Sequence, residues 1–204
     1  MKGEKLIKVC GMRESANIRA VDSLGIDLMG FIFYAPSPRN VVELPSVMPC
    51  HARRVGVFVD APFEEIRERV SQFSLDYVQL HGKESAEMCR SVRNLGVKVI
   101  KAFRVASASD LVQTGQYAGE CDLFLFDTKT ELAGGSGRCF DWSVLDEYKG
   151  DTPFLLSGGI GPESAEGLTS FSHPMLAGYD LNSRFETEPA LKDVGLIKQF
   201  LKAI

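Results

Sequence analysis

The sequence predicts an α/β protein in which a single (β/α)8 TIM barrel spans residues 1–204. Eight short apolar runs begin roughly 20–30 residues apart, which leaves room for a strand, a helix and two loops in each unit. Most of these runs are continuously apolar, as in parallel strands that are buried on both faces. The units follow one another without a linker, which favours a closed barrel over the alternative, an open doubly wound sheet.

The strands are predicted from these runs, and the helices are predicted from the periodicity between them. The strands are Leu6–Cys10, Leu28–Phe33, Val55–Val59, Tyr77–Leu80, Val97–Phe103, Leu123–Phe126, Phe154–Leu156 and Met175–Tyr179. Apolar residues that recur every three or four positions predict helices from Ser15, over Phe63–Phe73, over Glu84–Leu95, from Ser109, from Ser164 and over Asp193–Ile204. Two more helices, at Leu44–Pro49 and Trp142–Tyr148, are short and weakly supported.

Composition narrows the classes of function. A net charge of −4 gives no reason to expect nucleic acid or an anionic membrane as a partner, although a small anion can bind through local groups. No apolar stretch approaches the ~20 residues that cross a bilayer, and the charged start is unlike a signal peptide, so a cytoplasmic location is expected. The five cysteines and three histidines have no metal-ligand spacing, so no metal site is expected.

Catalytic residues of such barrels lie at the C-terminal ends of the strands. The first predicted strand ends in Lys8-Val9-Cys10-Gly11, where Lys8 and Cys10 share a face. A lysine ammonium beside the thiol would favour the thiolate, which makes Cys10 a candidate base. The alternative is a buried structural cysteine.

The sixth predicted strand ends in Asp127 after four apolar residues. Partial desolvation there would keep the carboxyl protonated long enough to act as an acid, although Asp127 could instead cap the next turn. The run Gly134-Gly135-Ser136-Gly137 follows, and so much glycine permits either a mobile lid or a backbone cradle for an anion. Gly135 is therefore a candidate phosphate ligand.

Polar side chains at three other strand ends are candidate substrate ligands. Arg39 lies in a loop stiffened by two prolines and could pair with a carboxylate or a phosphate, or could be an ordinary surface arginine. Gln79 and His81 share a face and either line a pocket or support it from behind. Asp180 can accept a hydrogen bond from a substrate hydroxyl.

A phosphate site is predicted from the loops after the seventh and eighth strands. Gly158 and Gly159 let backbone N–H groups approach a ligand, and the helical segment that follows adds partial positive charge. Asn182 and Ser183 suit the N-cap of a short helix that would face the same ligand. The alternative for the glycines is an ordinary strand-to-helix turn.

Taken in order, these residues resemble the phosphoribosylanthranilate isomerase family of tryptophan biosynthesis. The matching segments are Lys8-Val9-Cys10-Gly11, Pro36-Ser37-Pro38-Arg39, Gln79-Leu80-His81-Gly82, Phe126-Asp127, Gly134-Gly135-Ser136-Gly137, Leu156-Ser157-Gly158-Gly159-Ile160 and Asp180-Leu181-Asn182-Ser183. The resemblance implies a cofactor-free barrel that converts N-(5-phosphoribosyl)anthranilate to 1-(2-carboxyphenylamino)-1-deoxyribulose 5-phosphate by an Amadori rearrangement. It implies that Cys10 is the general base, that Asp127 is the general acid and that Arg39 holds the anthranilate end.

The chain departs from the family pattern at two places. Arg184 stands where the family usually has glycine, so a left-handed backbone there would be strained; otherwise the guanidinium could contact phosphate or repack the loop. Gly178-Tyr179 stands where a small apolar pair is more usual. Two other functions stay open: another sugar-phosphate isomerase or epimerase, with Lys8 or Lys101 as a Schiff-base lysine, and a non-catalytic phosphate-ligand binding protein. Either a monomer or a homodimer is compatible with the sequence.

Overall fold

A computed structural model of the chain describes residues 5–128 and 142–204. Eight parallel strands close a barrel in chain order, with the last strand bonded to the first, so the predicted fold is confirmed. The strands are β1 (Leu6–Cys10), β2 (Leu28–Phe33), β3 (Arg53–Phe58), β4 (Tyr77–Leu80), β5 (Lys98–Val105), β6 (Leu123–Thr128), β7 (Phe154–Ser157) and β8 (Leu176–Leu181). Each lies within two residues of its predicted bounds.

Helices cover the outside of the barrel. The α-helices are α1 (Ser15–Asp22), α2 (Phe63–Phe73), α3 (Ala86–Arg93), α4 (Ala165–Ser170) and α5 (Val194–Ala203). Four 3₁₀ segments lie at Ala108–Tyr117, Trp142–Glu147, Pro162–Ser164 and Ser183–Phe185, and β9 (Glu186–Glu188) pairs antiparallel with β10 (Leu191–Lys192) before α5. No helix in the described ranges is both long and apolar enough to cross a membrane.

Three of the helix predictions need correction. The helix proposed at residues 44–49 is wrong, because Pro45 and Pro49 interrupt that segment and each disfavours helical geometry in the residue before it. The helices predicted from Ser109 and at Trp142–Tyr148 are 3₁₀ helices. Asp110 stabilises the start of the first of these by accepting the backbone N–H groups of Ala106 and Ser107, both at 2.9 Å.

Apolar side chains pack on both faces of the sheet, which explains the continuous apolar runs. The larger cluster lies between the strands and the surrounding helices. The smaller cluster fills the barrel, and its buried members are Cys10, Leu28, Val55, Val57, Tyr77, Ile100, Ala102, Leu123, Leu125 and Leu155. Because side chains fill the interior, the barrel is not a pore, and ligands of such barrels bind at the mouth.

Aspartates repeat at the opposite, N-terminal end of the barrel. One stands immediately before each of β2, β4 and β6, and its carboxylate accepts the backbone N–H of the second residue of the preceding strand at 2.8 Å. The donor and acceptor pairs are Ile7 with Asp27, Arg54 with Asp76, and Val99 with Asp122. These bonds help to fix the stagger of neighbouring strands, and therefore where each strand ends at the mouth.

Two glycines let the backbone pack closely around β1. A Cβ built on Gly178 would lie 2.0 Å from the carbonyl oxygen of Leu6, so barrel closure between β8 and β1 explains this departure from the family pattern. A Cβ on Gly30 of β2 would lie 2.8 Å from Cys10 Sγ. Glycine at position 30 therefore leaves the space that the thiol occupies.

Candidate active site

A cavity of about 360 Å³ opens at the C-terminal ends of the strands. Every predicted site residue in the described ranges lines it: Cys10, Arg39, Gln79, His81, Asp127, Gly158, Gly159, Asp180, Asn182 and Ser183. Gly135 lies outside the described residues. The lining of the cavity comes from seven of the eight strands and the loops that follow them, so these residues meet at one concave surface, which is where barrels of this kind bind small molecules.

Cys10 lies beside a buried ion pair at the base of this cavity. The Lys8 side chain is 0% exposed, and its Nζ lies 2.8 Å from Asp180 Oδ1. Asp180 also accepts a hydrogen bond from Ser157 Oγ at 3.2 Å. The ion pair thus joins β1 to β8 beside the thiol. One carboxylate oxygen of Asp180 contacts Lys8, and the other accepts the hydrogen bond from Ser157.

Lys8 favours the thiolate of Cys10, as predicted, but burial has the larger effect on the thiol. Burial raises the pKa of the Cys10 thiol above its ordinary 9.0, and the attraction of Lys8 only partly opposes that rise. The neighbouring Asp180 carboxylate also favours the neutral thiol. For Lys8, burial acts to lower the pKa, but the contact with Asp180 outweighs it and the pKa is raised. The positive charge of Lys8 is therefore already neutralised by the carboxylate of Asp180.

A second charged cluster lies on the other side of Cys10. Arg39 Nε lies 2.9 and 3.0 Å from the two carboxylate oxygens of Glu186, and Lys192 Nζ also donates to Glu186. Lys192 Nζ donates in addition to Asn182 Oδ1 at 2.9 Å. Two cations thus share one buried carboxylate, and the surplus positive charge favours an anion at this end of the cavity.

Burial and hydrogen bonds act against each other in this cluster. For Glu186, burial acts to raise the pKa, but hydrogen bonds from Arg39 and Lys192 outweigh it, so the pKa is lowered. The hydrogen bond to Glu186 raises the pKa of Arg39. For Lys192, burial prevails and lowers the pKa despite the contact with Glu186. The carboxylate therefore stays ionised and holds Arg39 in place.

Asp127 has a more open environment on the far side of the mouth. Its side chain is 36% exposed, and its Oδ2 lies 3.7 Å from His81 Nε2. Gln79 Nε2 lies 2.8 Å from His81 Nδ1. Because an amide nitrogen can only donate, this contact leaves the hydrogen of a neutral His81 on Nε2, facing Asp127. Gln79 Oε1 is buried and has no hydrogen-bond partner among the described residues.

A buried ion pair fixes the turn that carries His81. Lys101 Nζ, on β5, donates to the carbonyl oxygens of Leu80 and Gly82 at 3.1 and 2.8 Å, and to Glu84 Oε2 at 3.1 Å. Glu84 Oε1 in turn accepts the backbone N–H of Gly82 at 3.1 Å. Lys101 therefore supports the turn from behind and does not line the cavity.

The loop after β7 has the backbone geometry that the paired glycines predict. Gly158 has φ +88° and Gly159 has φ +65°, and both values lie in the left-handed region that favours glycine. The loop then enters the 3₁₀ turn that leads into α4, where Ser164 Oγ accepts the backbone N–H of Gly161 at 3.0 Å. A side chain at 158 or 159 would be strained and would narrow the cavity.

The loop after β8 differs from its prediction in two respects. Asn182 precedes the 3₁₀ turn, but its side chain makes no capping bond and instead accepts from Lys192. Arg184 has no left-handed backbone, so the strain considered for it is absent. Its guanidinium pairs with Glu163 of the loop after β7, which joins the two loops.

Sequence reasoning missed Glu186 and Lys192. Both lie in the β9–β10 hairpin, in a polar stretch without periodicity, so nothing local distinguishes them from surface charges. The backbone of Lys192 is fixed by Asn17 of α1, which exchanges two 2.8 Å hydrogen bonds with it. These two residues approach Cys10 because the β9–β10 hairpin packs against α1, whose Asn17 lies 175 residues before Lys192 in the chain.

The arrangement can carry out acid–base chemistry on one bound molecule. A thiol on β1 and a carboxyl on β6 both face the cavity, so protons can be exchanged at two positions of the same ligand. Within residues 5–128 and 142–204, no group of three or more histidine, cysteine or acidic side chains is placed to hold a metal ion.

Comparisons with known proteins agree on one family. The family model described as N-(5'-phosphoribosyl)anthranilate (PRA) isomerase matches residues 7–203. The N-(5'-phosphoribosyl)anthranilate isomerase of Parabacteroides distasonis is 51% identical over 205 residues, which cover 98% of this chain and 93% of that protein. The crystal structure of phosphoribosyl anthranilate isomerase from Thermotoga maritima superposes with a TM-score of 0.82 at 34% identity, covering 98% of both chains.

A further crystal structure was obtained with a bound ligand. That phosphoribosyl anthranilate isomerase is in complex with reduced 1-(o-carboxyphenylamino)-1-deoxyribulose 5-phosphate. It superposes with a TM-score of 0.80 at 31% identity, and the match covers 98% of each chain.

Proposed function

The chain belongs to the N-(5'-phosphoribosyl)anthranilate isomerase family, and we propose that Cys10 is the general base and Asp127 the general acid of its reaction. The protein is an isomerase of tryptophan biosynthesis that carries out an Amadori rearrangement. The observation that carries the assignment of roles is the placement of a buried thiol and a half-buried carboxyl on different strands around one cavity.

In the first half of the reaction, Asp127 donates its proton to the furanose ring oxygen. The bond from that oxygen to C1′ breaks, and the lone pair of the anthranilate nitrogen forms a C=N bond, which gives an iminium. The carboxylate left on Asp127 faces the Nε2–H of His81, which favours the charged form as it appears.

In the second half, the thiolate of Cys10 removes the C2′ proton. The electron pair of that C–H bond forms the C1′–C2′ double bond and neutralises the iminium nitrogen, which gives an enolamine. The enol oxygen then loses its proton and C1′ gains one, which yields the ketone. The iminium accepts the electrons, so a thiol and a carboxyl suffice for the proton transfers.

The two anionic ends of the substrate match two parts of the cavity. Arg39, beside the surplus positive charge of its cluster, is proposed to bind the anthranilate carboxylate. The glycine loop after β7 and residues Asn182 and Ser183 are proposed to bind phosphate, together with Gly135. Gln79, His81 and Asp180 are proposed to contact the remainder of the substrate.

The remaining expectations extend this proposal. We propose that residues 1–204 form one domain, that the protein is a monomer or a homodimer without nucleic acid or membrane partners, and that it acts in the cytoplasm without a cofactor. The described cysteines Cys10, Cys50, Cys89 and Cys121 are free thiols, as expected in a reducing compartment. A Schiff-base mechanism has little support, because neither Lys8 nor Lys101 lines the cavity.

The assignment is tested by following the decay of anthranilate fluorescence with freshly generated phosphoribosylanthranilate. We expect Cys10→Ala and Asp127→Asn each to lower kcat by roughly 10² or more. Matched controls are Cys89→Ala, which removes another buried thiol, and Asp151→Asn, which removes an exposed carboxylate in the loop before β7, at the opposite end of the barrel. Near-normal kcat in either site variant, or an equal loss in its control, would refute the role of that residue.

A further inference from the structure

We propose that Arg184 is a direct ligand of the substrate phosphate, with Glu163 as the partner that holds its guanidinium beside the cavity. This inference rests on the proposed function, because that function places the phosphate at the loops after β7 and β8. The sequence leaves three possibilities open for Arg184, which are backbone strain, a phosphate contact and a repacked loop. Of these, the phosphate contact is the one proposed.

Arg184 is one of two cationic residues that line the described part of the cavity, and the other is Arg39. The two differ in how their charge is used. Arg39 is only 19% exposed and lies flat against both oxygens of Glu186. Arg184 is 49% exposed and follows Asn182 and Ser183 in the 3₁₀ turn. A ligand that enters the cavity therefore reaches Arg184 more readily than Arg39.

The aliphatic part of the Arg184 side chain packs against the loop after β7 at Gly161, which has no side chain. A Cβ built on Gly161 would lie 2.8 Å from Arg184 Cδ, so glycine at this position makes room for the stem. The guanidinium then pairs through Nη1 with Glu163, which does not itself line the cavity. The contact with Gly161 restricts the side chain next to the glycine loop at Gly158 and Gly159.

The charge and geometry of the two partners favour phosphate over Glu163 as the ion-pair partner of the Arg184 guanidinium. Arg184 has five N–H donors in a planar fork, and phosphate oxygens accept two of them in parallel. Because both members of the ion pair are about half exposed, their mutual attraction is weak in water. A phosphate dianion carries more charge than Glu163 and also receives backbone N–H groups from the loops, so it is the stronger partner.

The alternative is that the ion pair between Arg184 and Glu163 only joins the two loops and that Arg184 does not bind phosphate. Substitution of each partner in turn distinguishes these two roles. A ligand role predicts that Arg184→Gln raises KM roughly 5- to 30-fold with little change in kcat, because one charge-assisted contact is lost. It predicts that Glu163→Gln leaves KM unchanged or lowers it, because a competing carboxylate is gone. A mere link between the loops predicts that both variants raise KM by the same factor, and that result would overturn the proposal.

A binding measurement with inorganic phosphate makes the test independent of catalysis. Calorimetry should show phosphate binding to the wild-type protein and weaker binding, by a similar factor, to Arg184→Gln. Arg90→Gln is the matched control, because Arg90 of α3 is an exposed arginine that makes an ion pair with Glu120, and neither residue lines the cavity. Unchanged phosphate binding in Arg184→Gln, or none in the wild type, would refute the inference. Normal turnover by Cys10→Ala would instead refute the acid–base assignment and leave this one standing.

Discussion

The two sides of the barrel mouth hold their reactive groups in opposite ways. Cys10 is buried between two charged clusters, the Lys8–Asp180 pair and the cluster of Arg39, Glu186 and Lys192. Asp127 is about one-third exposed, and its Oδ2 lies 3.7 Å from His81 Nε2. The thiol is therefore buried among paired charges, whereas the carboxyl is partly open to solvent.

This difference follows from what each group has to do. A base that takes a proton from carbon needs a fixed position against one C–H bond, and packing between β1, β2 and β8 provides it. An acid that protonates a ring oxygen must be reprotonated in every turnover, and exposure to water allows that. Substitutions on the thiol side should therefore affect stability and activity together, and those on the carboxyl side should affect activity alone.

The largest stability effect is expected on the thiol side, from Lys8→Met. Removal of the ammonium leaves the Asp180 carboxylate 5% exposed and without its cation, so we expect a loss of about 3–5 kcal/mol in the free energy of unfolding. Urea denaturation measures it, with Lys98→Met as the control, because Lys98 is an exposed lysine at the N-terminal end of β5. The double variant Lys8→Met/Asp180→Asn should recover part of the loss. A loss below about 1 kcal/mol in the single variant would contradict the account.

A smaller effect, confined to the reaction, is expected from His81→Asn. The variant removes the N–H that faces Asp127, so kcat should fall roughly 10-fold, while the partial exposure of His81 should keep the change in unfolding free energy within about 0.5 kcal/mol. The exposed His51→Asn is the control for loss of an imidazole. If His81→Asn were as destabilising as Lys8→Met, the contrast between the two sides would be lost.

The sequence predicts the barrel well because strand burial is a local property of the chain. The eight apolar runs locate every strand of the barrel but not the β9–β10 hairpin, and the residues after each run locate the mouth. The polar environment is not local: Lys8 meets Asp180 at a separation of 172 residues, and Arg39 meets Glu186 at 147. The net pKa of Cys10 could not be predicted for the same reason, since it depends on burial and on Asp180 as well as on Lys8, which is close in sequence.

The central claim is that the Cys10 thiolate and the protonated Asp127 act together, and the pH dependence of kcat/KM tests it most directly. Burial raises the pKa of the Cys10 thiol above 9.0, so the thiolate becomes the major form only at alkaline pH. Above that pKa the thiolate fraction no longer rises with pH, so the population that carries both the thiolate and a protonated carboxyl falls.

In Asp127→Asn the carboxyl no longer titrates, so the residual kcat/KM should rise with pH until it levels off at that same pKa. The pKa itself is measured independently from thiolate absorbance, with Cys10→Ala subtracted. The account predicts a falling alkaline limb in the wild type and a rising one in Asp127→Asn, both centred on the measured pKa. Alkaline limbs with the same direction in both proteins, or an inflection unrelated to the Cys10 titration, would contradict it.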